Sequence, residues 1–278
     1  MKPKAALAMA AAGLLITASP AAQAGPWTKS LGELYVKVGE GLFFSDSYRD
    51  SEGKIVSGQT EYLGATTSVY FEVGVWKGLQ VWGYLPYLIG INDFPQIDRQ
   101  TLNASGGDGL LGLQYTPPLP LPFPAALKLE FKVPFYDVAE TPPAFPAPGD
   151  GQLDVTFWLT AGGSLGSIPL FFFGEVGYRL RTEAFVGDGS TAEYVDGFAF
   201  FASVGYTFFG KYILAINTGG VIPLSDDNVS KGYITVGPAL YIPVYRGLAL
   251  EASFDPMVYT NDNASPGMGL SFGVSFKR

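Results

Sequence analysis

The chain has 278 residues, and none of them is cysteine or histidine. Without cysteine there is no disulfide, no thiol nucleophile and no lipid-anchor residue behind a leader. Without histidine there is no Ser-His or Asp-His hydrolytic centre and no imidazole-ligated metal. Charge is sparse as well: 15% of residues are charged, with a formal balance of −8. An acidic chain lacks the basic footprint of a nucleic-acid binder. No P-loop or dinucleotide fingerprint occurs. Beyond the first two dozen residues Gly, Pro or a charge interrupts every apolar run before it could span a bilayer as a helix. These absences predict a protein that is not an enzyme, with no cofactor, no metal and no nucleic-acid partner.

The chain does hold 36 glycines and 15% aromatics. An apolar, aromatic, Gly-rich chain without spanning helices points to a transmembrane β-barrel. The first residues add an address. Lys2 and Lys4 precede an apolar run, Ala5 to Thr17, and Ala22-Gln23-Ala24 is a small-x-small cleavage site before Gly25. Residues 1–24 therefore read as a cleaved secretory signal peptide. Residues 25–278 form the barrel.

The pattern is clearest from Gly149 to Phe185. Leu153, Val155, Phe157, Leu159 and Ala161 alternate with Gln152, Asp154, Thr156, Trp158 and Thr160. After a short turn, Leu170, Phe172, Val176, Tyr178 and Leu180 lie opposite Glu175, Arg179, Arg181 and Glu183. A period of two means strands. The same alternation recurs in order along the chain, from Glu33–Phe44 to Met268–Lys277. It yields about 12 strands, and polar stretches alternate with tight turns between them. The polar stretches are 45–60, 92–108, 136–150, 186–196, 223–230 and 260–267. Pro117 to Pro124 cannot pair as strand and is an extended connection. The expected fold is all-β: an antiparallel up-and-down transmembrane barrel with periplasmic termini in the bacterial outer membrane. Its charges fall almost wholly on one side of the wall, which a lipid-facing surface requires. Outer-membrane lipid and lipopolysaccharide are then its surroundings. The barrel-assembly machinery is a partner that would read the last strand with Phe276 near its end.

Four segments carry a resemblance. Gly106–Tyr115 (GGDGLLGLQY), Leu127–Pro134 (LKLEFKVP), Gly149–Asp154 (GDGQLD) and Glu175–Arg181 (EVGYRLR) occur in that order. Together they resemble the outer-membrane family named for the meta-pathway of phenol degradation. The resemblance implies a channel-like transporter for aromatic or other hydrophobic compounds. It names no functional residue.

The inward face offers candidates of its own. Lys128, Glu130, Lys132, Asp154, Glu175, Arg179, Arg181 and Glu183 form a belt of both signs if their strands pair in sequence. Such a belt either sets a transverse field at a pore constriction or makes a salt-bridged plug that fills a small barrel. Tyr70, Trp82, Trp158 and Phe173 also point inward, either as an aromatic lumen lining or as girdle residues near a rim. Three Gly-Asp-Gly triplets, at 107–109, 149–151 and 187–189, read as turns rather than Ca²⁺ loops, because they lack a cation loop's acidic spacing. The expected function is a passive outer-membrane channel for small, hydrophobic or aromatic solutes. The alternative is a non-conducting structural or adhesive barrel.

Overall fold

The computed structural model describes residues 25–49, 54–137, 141–142, 144–185, 191–225, 227 and 229–278. The leader expected at 1–24 and the triplet at 187–189 lie outside the described residues. Among the described residues the strands are β1 (Leu34–Arg49), β2 (Ile55–Trp76), β3 (Leu79–Phe94), β4 (Arg99–Gly106), β5 (Asp108–Tyr115), β6 (Ala125–Pro134), β7 (Asp154–Leu165) and β8 (Leu170–Arg181). They continue as β9 (Ala184–Phe185), β10 (Thr191–Ala192), β11 (Gly197–Phe208), β12 (Tyr212–Pro223), β13 (Tyr233–Tyr245), β14 (Leu248–Thr260) and β15 (Met268–Lys277). A single 3-10 turn, Pro95–Ile97, separates β3 from β4.

Thirteen of these strands form one antiparallel sheet, and the additional β2–β3 pairing closes it. Because β4 and β5 both pair with β3, the wall has twelve staves. Closure pairs the staves on both sides through the belt, so backbone polar groups are paired within the wall as hydrocarbon demands. Among the described residues, unpaired edges remain on β1 past Phe44, on β2 before Glu61 and on β4. The second edge of β4 has no strand partner among the described residues, since β6 ends at Pro134 and pairs only with β5 and β7. The break between β4 and β5 has a local cause in Pro86 of β3, which has no N–H to give its neighbour. Only its carbonyl takes part, accepting from Gly107 N at 3.1 Å.

The tight turns lie at one end. Arg246 and Gly247 both have positive φ (38° and 85°), as a type I′ hairpin turn requires. Phe209 and Gly210 do the same (50° and 69°) between β11 and β12. The start of β1 and the last residue are at this end too: Leu34 exchanges backbone bonds with Arg278 at 2.9 Å. Trp76, Phe209 and Tyr245 stand exposed there and form part of an aromatic rim. Above them Val38, Leu127, Phe157, Val176, Val204 and Phe272 belong to the outward apolar belt. The inward positions of the same strands are the polar ones, so this chain is turned inside out relative to a soluble sandwich.

Two of the polar stretches are not simple loops. β1 continues to Arg49 and β2 begins at Ile55, so most of 45–60 is strand. β4 together with the end of β3 likewise occupies most of 92–108. Past the membrane both faces of a strand meet water, and the apolar–polar alternation disappears although the pairing goes on.

Candidate functional site

The inner wall of β5–β8 is built by register. Lys132 of β6 pairs with Asp154 of β7, and Asp154 with Arg181 of β8. One row lower, Glu130, Thr156 and Arg179 fall in line, and below them Lys128, Trp158 and Gly177. Alternation puts all of these on the side away from lipid. Pleating spaces the rows two residues apart, near 7 Å.

The upper row is a chain of ion pairs. Lys132 Nζ lies 3.3 Å from both Asp108 and Asp154. Arg181 reaches Asp154 at 3.4 Å and Asp150 at 3.0 Å. Lys231, ahead of β13, closes on Asp150 at 2.8 Å. Asp150 belongs to no strand. It is carried into the lumen by residues 144–151, which hang from the wall by side chains of β3 and β4. Asn92 and Thr101 both donate to the carbonyl of Ala144 (3.1 and 2.7 Å), and Asn103 donates to that of Pro146 (2.9 Å). Tyr136 donates to Asp108 at 2.7 Å and accepts Gly151 N at 2.8 Å. Burial would raise the Asp150 carboxyl pKa, but Lys231, Lys132 and Arg181 outweigh it and hold the group well below the usual carboxylate range. Burial first, and then the charge of Asp108, push the Tyr136 phenol upward, so it stays a neutral donor. The two Gly-Asp-Gly triplets that can be seen thus supply carboxylates to this latch. Only Gly151, with φ of 80°, has the positive φ of the turn reading.

The opposite end of the lumen is crossed by the residues before β1. Lys29 Nζ meets Glu72 of β2 at 2.7 Å, and its backbone N–H donates to Gln80 Oε1 at 2.8 Å. Gln114 donates to the carbonyl of Gly25 (2.8 Å) and Thr116 to that of Pro26 (2.6 Å). Trp27 sets its ring edge-on to Phe173 of β8 at 6.3 Å. These contacts run from β2 and β5 to β8, across the barrel.

Between the two inserted segments stands an aromatic layer. Trp82 and Trp158 flank Lys128, whose ammonium is 5.2 and 5.3 Å from the ring centres and 2.9 Å from Glu175. Both indoles lie against glycine. A Cβ on Gly112 would come within 2.3 Å of Trp82, and one on Gly177 within 2.6 Å of Trp158. Gly112→Val is therefore expected to displace Trp82 and cost about 1–3 kcal/mol. A lowered urea midpoint with an altered tryptophan emission would show it. Tyr70 sits 6.2 Å from Trp82 and donates to Glu72 at 2.6 Å.

The eight charged candidates separate accordingly. Lys128, Glu130, Lys132, Asp154, Glu175, Arg179 and Arg181 all stand on the inner wall, whereas Glu183 lies past the end of β8 and is exposed. Tyr70, Trp82, Trp158 and Phe173 are inside the barrel, while the short-turn rim has other aromatics. Sequence reasoning missed the two inserted segments. Trp27 and Lys29 ahead of the first strand were the available signal for one, and the Pro-rich run before Asp150 for the other.

Several buried polar atoms of this wall have no hydrogen-bond partner among the described residues: Trp82 Nε1, Trp158 Nε1, Thr160 Oγ1, Glu175 Oε1, Arg179 Nε and both amide atoms of Gln152. They come from β3, β7, β8 and the approach to β7, and all are on lumen-facing residues. Buried polar groups are ordinarily satisfied.

No family model matches the sequence, and no curated protein matches it. Solved structures do share its shape. An outer membrane channel from Pseudomonas putida F1 matches at a TM-score of 0.72 and 11% identity, over 90% of this chain and 97% of that one. The translocator domain of the autotransporter NalP from Neisseria meningitidis matches at 0.50 and 9%, over 89% of each chain. The NanC porin matches at 0.50 and 14%, over 88% of this chain and all of that one, 100%. At such identities the likeness is one of fold: the chain has the closed antiparallel barrel of outer-membrane proteins.

Proposed function

We propose that the protein is a passive outer-membrane channel for small solutes, with a preference for aromatic or other hydrophobic ones. The observation that carries this reading is the middle layer, where Trp82 and Trp158 lie against Gly112 and Gly177 with Lys128 between them. Trp82 is only 5% exposed and Lys128 stands over both rings, so a solute reaches this layer by displacing Lys128, which opens a stacking surface on the indoles. The paired charges above that layer cancel one another at close range, so the belt is better suited to screening solutes by size than to attracting ions. The motif resemblance to the phenol meta-pathway family agrees with an aromatic cargo. The printed description of the Pseudomonas putida neighbour, an outer membrane channel, agrees with conduction. In this reading lipopolysaccharide and lipid surround the belt, and the assembly machinery engages β15.

One observation favours a second reading, a barrel that does not conduct. Inserted chain crosses the lumen near both ends, and its polar groups are well bonded to the wall. Planar-bilayer recording separates the two. A channel gives unit currents whose ion preference changes when Arg179 and Arg181 become Ala. A folded barrel that stays silent with and without these substitutions supports the second reading.

A further inference from the structure

The outer wall carries a carboxyl inside its apolar belt. The outward positions of β1 are Leu34, Val36, Val38, Glu40, Leu42 and Phe44, followed by Asp46. At about 3.3 Å per residue and a tilt of about 40°, Glu40 stands roughly 15 Å from each end of this run. That is the middle of a belt about 25 Å tall. Among the described residues, no other Asp, Glu, Lys or Arg faces outward in the belt; Asp46, Glu61 and Asp93 stand at the rim.

Register sets Glu40 between Phe272 of β15 and Thr67 of β2, and sets Thr67 beside Tyr87 of β3. Thr67 Oγ1 donates to Glu40 Oε1 at 2.6 Å. Carboxyl, hydroxyl and phenol thus make a polar row across three neighbouring staves. Exposed Val38, Leu42, Val69 and Leu85 surround it. Hydrocarbon offers these groups neither donor nor acceptor, so any further partner must come from the protein or a neighbour in the bilayer. The lumen cannot supply one, because the row faces away from it.

We propose that this row is the centre of an interface between two copies of this chain, related by a two-fold axis in the membrane. At such an axis a patch meets itself, and only a self-complementary patch is satisfied there. The hydroxyls of Thr67 and Tyr87 are both donors and acceptors, and the Glu40 carboxyl accepts, as it does from Thr67. A row of this composition fits a second copy of itself. A donor-only or acceptor-only patch would call for a different protein. The interface is on the lipid side and stands or falls independently of whether the lumen conducts.

The chain has no cysteine, which permits a direct test. Val38→Cys, folded into lipid vesicles, is expected to give a disulfide-linked dimer on mild oxidation. Ile216→Cys, on the β12 wall, is expected to stay monomeric. Adding Glu40→Leu to Val38→Cys should cut the cross-linked fraction about tenfold, the scale of one hydrogen-bonded pair in a bilayer. Glu40→Gln keeps an acceptor and should retain the dimer. Heat-modifiable gel migration verifies that each variant is folded. The proposal is overturned by absence of the Val38→Cys dimer, by equal cross-linking at 216, or by a dimer indifferent to Glu40→Leu. Loss of the dimer in Glu40→Gln, or cross-links only to lipid or another protein in native membranes, would overturn it too.

Discussion

Removing residues 25–31 is expected to raise the unit conductance of the reconstituted barrel several-fold. These residues cross the lumen from β2 and β5 to Phe173, and their removal frees the whole cross-section at that level. The wall should survive the change. The stave contacts are backbone ladders that do not involve the segment, apart from the Gly32–Gly74 bond next to it. The main cost falls on Glu72, which is 1% exposed and loses Lys29. An orphaned buried charge costs several kcal/mol in a dry interior. Here the same deletion admits water to the carboxylate, so the penalty shrinks. Trp27→Ala and Lys29→Met give a graded version, each loosening one anchor. Currents unchanged by the deletion, in a barrel that still migrates as folded, would show that the segment does not obstruct the path.

The second large effect is expected at the other end. Asp150→Ala removes the one carboxylate that bridges Arg181 and Lys231. Breaking a buried pair of this kind costs about 3–5 kcal/mol when the partner stays buried. The structure can avoid that cost locally, because residues 144–151 are a loop and can leave the lumen. The expected result is release of the loop with the barrel intact. Protease cleavage within residues 141–152 should speed up about a hundredfold, the rate equivalent of about 3 kcal/mol, while the heat-modifiable mobility is kept. The pH dependence has a definite sign. The Asp150 carboxyl is depressed in the folded state, so its contribution is complete above the ordinary carboxylate value of about 3.9. It is lost only as pH falls below that, through the depressed folded value. The ratio of cleavage rates of Asp150→Ala and the intact protein, which isolates this carboxyl from Asp108, should therefore be flat between about pH 5 and pH 8. A change of that ratio within the window would contradict the latch.

The strands were legible in the sequence for a physical reason. Where one face meets lipid and the other a polar interior, residue type must alternate, and the hairpin alternates from Asp154 to Ala161 and again from Glu175 to Arg181. The same rule set the side of Lys128, Arg179 and Trp158. Legibility failed where the rule does not operate. Past Phe44 both faces of β1 are polar, so its continuation to Arg49 resembled loop. Polar loop residues read alike whether they stand in bulk water or fold back into a wet lumen, which hid the insertion of Asp150. Residues 25–31 follow no alternation and showed no face at all. Glu40 was hidden in the opposite way. It occupies an outward position between Val38 and Leu42, where the pattern calls for an apolar residue. The contrast became visible only once closure of the wall had established which way β1 faces.

Passage of small aromatic solutes through the lumen past Trp82 and Trp158 is measured by flux into vesicles containing the purified barrel, comparing a phenol-sized aromatic with a sugar of similar mass. Protein-dependent entry of the aromatic is expected to exceed that of the sugar and to fall when Trp82 and Trp158 are both replaced by Ala. Equal entry of the two solutes, or none above protein-free vesicles from a barrel shown to be folded, would contradict it.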